Sequence, residues 1–307
     1  MKKSFYSHGK LLLTAEYLVL DGVRALAIPT KKGQWLYIEE NDTNQIIWKS
    51  FDDKGNCWFE TNLILENNTF RPTEDTNKEL TITKTLINIL TVAKILNPEF
   101  LSLKKGYLVE TRLEFDRQWG LGSSSTLINN IAQWAKVDAF TLLEKSFGGS
   151  GYDIACAQYN SPILYKRNSG KPIITVSSFN PIFQENLFFI YLNQKQDSKE
   201  SIKHYQSLPL KDFDKAETII NEITSKILDC SSVKRFEILI QSHEETISKI
   251  IKTPTVKSVL FPDYSGSIKS LGGWGGDFIL VTGNTLEMEY FRKKGYTTII
   301  PYSEMVL

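Results

Sequence analysis

Cysteine is scarce in this chain of 307 residues: Cys57, Cys156 and Cys230 are all there is. They lie far apart, show no paired metal-ligand spacing, and would leave one over if two were bridged. Reduced thiols in a cytoplasmic protein are the simplest expectation. Long hydrophobic runs are missing as well. The apolar stretch Leu11 to Leu13 is broken at once by Thr14 and Glu16, so the basic start MKKSFYSHGK opens neither a signal peptide nor a membrane span. No sign of charge dominates, with 36 Lys and Arg against 35 Asp and Glu and no long block of either. That balance argues against nucleic acid or an anionic membrane as partner and for a small molecule. Repeats and low-complexity segments are absent too, which argues against a solenoid.

What is present is ample core material, 41% hydrophobic against 23% charged, in a length that makes two domains the default. Apolar and β-branched clusters at 24–29, 34–40, 45–51 and 57–65 read as strands preceding any long helix, the opening of an α+β domain. A helical stripe follows from about Thr76 to Leu96, with Leu80, Ile82, Leu86, Ile87, Leu90 and Ala93 on one face and Pro98 beyond its end. A strand from Tyr107 to Phe115 then leads into a glycine and serine loop. After Pro162 come strands near 162–166, 171–178 and 187–193, and helices near 198–207, 211–229 and 233–251. The rest holds a glycine cluster at 272–276, a strand Phe278 to Thr282, a short helix and a last strand, Thr297 to Tyr302. The domain division is placed near residue 165, giving 1–165 and 166–307.

Three segments suggest chemistry. Gly120-Leu121-Gly122-Ser123-Ser124-Ser125-Thr126 lies between a strand and an amphipathic helix carrying Leu127, Ile128, Ile131, Ala132 and Trp134. Such a loop can aim backbone N–H groups and a helix dipole at a polyphosphate, while serine hydroxyls reach phosphate oxygens or Mg²⁺. A serine-capped helix after a glycine turn fits the same residues. Neither the Gly-Lys-Ser/Thr of a Walker loop nor the Rossmann spacing of glycines is present. Gly148-Gly149-Ser150-Gly151-Tyr152-Asp153-Ile154-Ala155 precedes a buried-looking helix and also fits a capping box. In the first helical turn, Asp153 would be held as carboxylate and could take or orient a hydroxyl proton. Lys269-Ser270-Leu271-Gly272-Gly273-Trp274-Gly275-Gly276-Asp277 packs four glycines into five residues before an apolar strand, a sign of close backbone approach or unusual φ, or of an ordinary hairpin turn. Near the N-terminus, Lys10 sits among apolar residues, where an ammonium group wants an anionic partner or snorkels to the surface.

Together these segments resemble the GHMP kinase superfamily, in its mevalonate and phosphomevalonate kinase-like branch. Gly9-Lys10-Leu11-Leu12-Leu13-Thr14-Ala15-Glu16-Tyr17-Leu18-Val19-Leu20 is similar to the family's first motif, Gly120 to Ser124 to its second and Lys269 to Asp277 to its third. The Gly-Ser-Gly-Tyr-Asp-Ile-Ala string is close to the aspartate motif of phosphomevalonate kinases and to a bacterial subgroup named for Gly-Tyr-Asp-Ile-Ala. The resemblance implies a two-domain α+β fold: an N-terminal ribosomal-protein-like α/β domain, a C-terminal ferredoxin-like α+β domain, and an active site in the cleft between them. It implies ATP and Mg²⁺ as cofactors and a small-molecule acceptor, and it is compatible with a homodimer. By the same carry-over, Asp153 and Lys10 are the candidate catalytic pair, and Gly120, Leu121, Gly122, Ser123, Ser124 and Ser125 wrap the ATP phosphates. Ser124 is the candidate magnesium ligand, and Glu144 a weaker candidate for a second. Gly272, Gly273, Gly275 and Gly276 support the phosphate loop and substrate pocket, and Glu16 and Tyr17 are weaker substrate-side candidates. Trp274 stands where relatives usually have glycine. A sugar kinase or a non-catalytic ligand-binding relative are the rival readings.

Overall fold

The structure, a computed structural model, describes residues 2–66, 69–73, 80–102, 105–168, 171–209 and 212–307. They form two compact units that interleave along the chain. The first comprises Met1–Gly9, Lys32–Arg117 and Gly122–Gln158; the second comprises Lys10–Lys31, Gln118–Leu121 and Tyr159–Leu307.

In the first unit, strands β1 (Lys2–Leu12, up to Gly9), the later part of β2 (Ala25–Asn41), β3 (Gln45–Phe51), β4 (Cys57–Glu66), β5 (Thr69–Pro72) and β6 (Gly106–Leu113) meet helices α1 (Leu80–Leu96), α2 (Ser123–Ala135), α3 (Ala139–Ser146) and α4 (Tyr152–Gln158). The strands run in the order β5-β4-β3-β6-β2, with β1 alongside β2. β3 pairs parallel with β6, setting Trp48 opposite Val109. Alternation in β3 turns Ile46, Trp48 and Ser50 to one face, where they are buried. Helical residues Leu86, Leu90, Ala93, Ile128, Ile131 and Leu142 fill the core against that face.

The helical stripe of α1 differs in part from expectation. Leu86, Leu90 and Ala93 are buried as expected, whereas Leu80 and Ile82 are exposed. The buried row begins at Thr83 and continues through Leu86, Ile89 and Leu90, and Ile82 lies a hundred degrees of rotation off Thr83. The expected start at Thr76 lies outside the described residues. The two strands expected at 24–29 and 34–40 are one continuous strand, because Pro29 and Gly33 sit within β2 without ending it. The chain before residue 24, where no strand is expected, forms β1, the first strand of the sequence.

The second unit takes the early part of β2, β7 (Ile163–Lys166), β8 (Ile173–Val176), β9 (Leu187–Tyr191), helices α5 (Ser198–Ser207), α6 (Phe213–Leu228), α7 (Val233–Ile251) and α8 (Val256–Leu260), then β10 (Ile268–Ser270), β11 (Phe278–Thr282), α9 (Glu289–Lys293), β12 (Ile299–Pro301) and α10 (Tyr302–Met305). Four strands form an antiparallel sheet in the order β10-β11-β9-β12, with Ile190 opposite both Ile279 and Ile299. Phe188, Ile190, Ile279, Val281, Phe261 and Phe291 centre its core. Helices α6 and α7 pack on one another, and α7 also packs on β10.

Candidate functional site

Helix α2 is placed by polar side chains buried on its own flank. Asn130 accepts from the Ser7 hydroxyl at 2.8 Å and donates to the Gln34 carbonyl at 2.9 Å. Thr126 donates to the Gln34 side chain at 2.6 Å, and Asn129 donates to Ser7 at 2.8 Å. These bonds are buried, so each resists the loss of its partner and fixes the helix against β1 and β2. At its N-terminus the cap residue is Gly122 in the left-handed region (φ 91°), and no side chain caps the helix. Ser124 is exposed, Ser123 and Ser125 half-buried, and Gly120 is also left-handed (φ 65°). A thirteen-residue helix that begins without a side-chain cap directs backbone N–H groups and its positive dipole end at the loop ahead of it.

In the second unit, segments distant in sequence meet at Gly120 and Leu121. The Lys10 backbone N–H donates to the Leu121 carbonyl at 3.0 Å, which fastens the lysine's strand to the loop. Asp277, the last residue of the glycine-rich segment, lies against Gly120 so closely that a Cβ there would stand 2.3–2.6 Å from its carboxyl atoms. Asp277 is held at both ends. Its N–H donates to the Gln194 carbonyl at 2.7 Å, its carbonyl accepts from Leu192 at 2.9 Å, and its carboxylate accepts from the Gln196 N–H at 3.1 Å. Burial raises its pKa, opposed by the nearby charge of Lys10, the Gln196 N–H and Lys195. Lys10, Leu12, Trp119, Gly120, Gly272 and Asp277 line a small pocket here.

The third segment's glycines divide by cause. Gly272 and Gly275 are left-handed (φ 70° and 90°), a conformation that glycine adopts freely. At Gly273 a Cβ would meet Gln196 at 2.6 Å, and at Gly276 the Gln194 carbonyl oxygen at 2.7 Å. The close approach expected from this cluster is therefore made to the chain's own 194–196 segment. Trp274 is buried among them; its backbone N–H donates to the Tyr17 hydroxyl at 3.2 Å, while its indole nitrogen has no hydrogen-bond partner.

Glu16 is sealed in, at 1% exposure, and Lys269 donates directly to its carboxylate. Lys269 also donates to the Ser270 carbonyl at 2.5 Å and stands 3.2 Å from Glu244, an ion-pair distance without hydrogen-bond alignment. Ser270 donates its hydroxyl to Glu244 at 2.9 Å. Next to Glu244, His243 accepts the Ala15 N–H at 3.0 Å through Nε2. Burial raises the pKa of Glu16 and lifts Glu244 to about 7, while burial and the Lys269 charge hold His243 well below its ordinary value. This cluster was not foreseen. Its signal was a His-Glu pair at positions 243 and 244 on a helix stripe otherwise made of Phe236, Leu239, Ile240, Ile247 and Ile251.

Asp153 lies in the first turn of α4, half-buried, in the same unit as Ser123, Ser124 and Ser125. Before it, Gly148, Gly149 and Gly151 all have left-handed φ, at 80°, 118° and 90°. At Gly148 and Gly149 a Cβ would meet nothing within 4 Å, so backbone conformation rather than crowding explains those two. Lys10, Gly120, Leu121 and the segment Gly272 to Asp277 belong to the other unit. Glu144 is exposed on α3. Among the described residues no three His, Cys, Asp or Glu side chains gather where they could hold a metal, and no helix is long and apolar enough to cross a membrane.

An α+β chain of this build, with a glycine-serine loop feeding a helix and a glycine-rich turn before an inner strand, has the fold of the GHMP small-molecule kinases. A mevalonate kinase of Methanococcus jannaschii is similar at TM-score 0.70 and 17% identity, with 98% of this chain and 97% of that one covered. The phosphomevalonate kinase of Streptococcus pneumoniae, in complex with phosphomevalonate and AMPPNP, is similar at TM-score 0.63 and 15% identity, covering 95% of each chain. The galactokinase of Lactococcus lactis complexed with galactose gives 0.65 and 12%, covering 95% of this chain and 88% of that one. No family model matches the sequence, and no curated protein matches it.

Proposed function

We propose that this chain is an ATP-dependent small-molecule kinase that transfers the γ-phosphoryl group to a hydroxyl or phosphate of an isoprenoid precursor, mevalonate or phosphomevalonate. The observation that carries the reading is the bond from the Lys10 N–H to the Leu121 carbonyl, which sets a lysine strand directly on the glycine turn that feeds α2. Phosphoryl transfer requires mainly positioning and charge neutralisation, and these are what a lysine, a glycine turn and a helix start without a side-chain cap provide.

In this reading the backbone of Gly120 to Ser125 and the start of α2 bind the phosphates, and Lys10 offsets charge at the transferred group. Asp153 takes or orients the acceptor's hydroxyl proton. The exposed hydroxyl of Ser124 is the side chain offered to magnesium, whose other partners would be nucleotide oxygens and water, a coordination usual for that ion. ATP and Mg²⁺ fit this loop because it presents hard oxygen and N–H groups, and when bound they supply the phosphoryl group and its counter-charge.

A coupled ADP-release assay across mevalonate, phosphomevalonate, galactose and homoserine tests the proposal. Turnover with a mevalonate compound is expected. Turnover with galactose or homoserine alone would keep the kinase and discard the acceptor, and no ADP release with any of the four would count against both.

A further inference from the structure

The turn Ala15-Glu16-Tyr17 is held in a conformation its residues do not prefer. Ala15 and Tyr17 both have left-handed φ, 66° and 63°, and neither is a glycine. Such backbone persists only where its surroundings over-determine it. Here they do: the Ala15 N–H is taken by His243, the Glu16 carboxylate by Lys269, and the Thr14 hydroxyl accepts from the Leu26 N–H at 2.8 Å and from the Thr224 hydroxyl at 2.9 Å. At the far side of the turn, the Tyr17 hydroxyl accepts the Trp274 N–H, and Tyr17 packs on Tyr205, whose hydroxyl donates to Asp21 at 2.5 Å. The turn is thus a bracket with His243 and Glu244 at one end and the glycine-rich loop at the other.

We propose that His243 and Glu244 are positioning residues for the proposed transfer reaction: acting through Ala15, Glu16 and Lys269, they hold the strained turn that sets the third glycine loop. The inference rests on the kinase reading, and neither residue touches a substrate. The chemistry of the cluster shows how it holds. His243 accepts a backbone N–H through Nε2, so its proton is on Nδ1. Oε2 of Glu16 lies 3.3 Å from that same Nε2, whose single lone pair the Ala15 N–H already takes, so the ring gives this carboxylate oxygen no hydrogen bond. One ammonium, Lys269, faces two carboxylates, Glu16 and Glu244, in a site with no water-exposed edge. Lys269 bonds Glu16 directly and leaves Oε1 of Glu244 without a hydrogen bond, so the cluster is tightest when Glu244 keeps a proton and loosens as that proton is lost.

The test measures phosphoryl transfer and backbone amide exchange in wild type, Glu244→Gln and His243→Ala from about pH 6 to about pH 8. In wild type, exchange of residues 14–17 and 272–277, corrected for base catalysis, rises across this range. In Glu244→Gln, which carries the neutral form permanently, that rise disappears and transfer stays near its wild-type maximum. His243→Ala speeds exchange at both segments at every pH and lowers transfer by about tenfold to a hundredfold, with more loss in kcat than in KM. Uniformly faster exchange throughout the chain, with unaltered pH profiles, would make the cluster a stability element only and overturn the proposal. Wild-type exchange and rates in both variants would overturn it as well. If the wild-type chain transfers no phosphoryl group, the kinase reading falls, and the exchange profiles alone decide whether the bracket holds the loop.

Discussion

Gly276 and Gly148 lie in the two glycine-rich segments, yet they are glycines for opposite reasons, and substitution separates them. At Gly276 an added methyl would stand 2.7 Å from the Gln194 carbonyl oxygen and from the Gln196 side chain, a contact with rigid backbone. At Gly148 the space is open and only the left-handed φ of 80° opposes a side chain. Gly276→Ala is expected to cost about 1–3 kcal/mol in urea unfolding, in line with overpacking, and Gly148→Ala about 1 kcal/mol, in line with strain alone. Equal effects would remove the distinction. For Asp153 the expected outcome concerns chemistry: Asp153→Asn retains ATP binding, measured by titration calorimetry, and loses transfer by about a hundredfold or more. Wild-type rates in that variant would reduce Asp153 to a helix residue. The residue types in these loops were readable from the sequence. Which neighbours Gly273 and Gly276 make room for was not, because Gln194 and Gln196 are some eighty positions away and carry no motif.

Elements show where periodicity suffices. Helix α3 is capped by Asp138, which accepts from the Thr141 N–H at 2.8 Å and from its hydroxyl at 2.8 Å. Asp138→Ala should lower unfolding stability by about 1 kcal/mol, and Asp138→Asn much less. No change with alanine would mean that the cap bond adds nothing. Helix α2 buries Ile128, Ile131 and Ala132 as its pattern predicts, because the 3.6-residue period alone identifies a core face. The same period cannot announce the buried amides of Asn129 and Asn130, whose partners Ser7 and Gln34 lie on other strands. It fails again at the start of α1, where Leu80 and Ile82 are apolar yet exposed. On α7 the stripe itself held the clue, since His243 and Glu244 occupy core positions that solvated residues avoid.

For the whole molecule, that pair sets opposing dependences of stability on pH. Burial raises Glu244 from 4.5 to about 7, so its favourable contribution is complete below about pH 4.5 and is lost as pH rises through about 7. His243 is held well below 6.5, so the stability it contributes is present above that value and is lost as pH falls beneath it. Between about pH 4.5 and 6.5 the unfolded chain binds a proton at the histidine position that the folded chain refuses, while the folded chain keeps one at Glu244 that the unfolded chain releases. The two slopes oppose one another there, with the raised pKa of Glu16 adding to the Glu244 side. Glu244→Gln removes one side only. It should be more stable than wild type above about pH 7, by an amount that shrinks steadily on acidification, and His243→Gln should show the reverse trend, its deficit shrinking as the pH falls. Urea midpoints for the three proteins from about pH 4.5 to about pH 8 measure both trends at once. Three parallel curves would mean that neither group changes its proton affinity on folding, and the buried cluster would then be electrostatically silent.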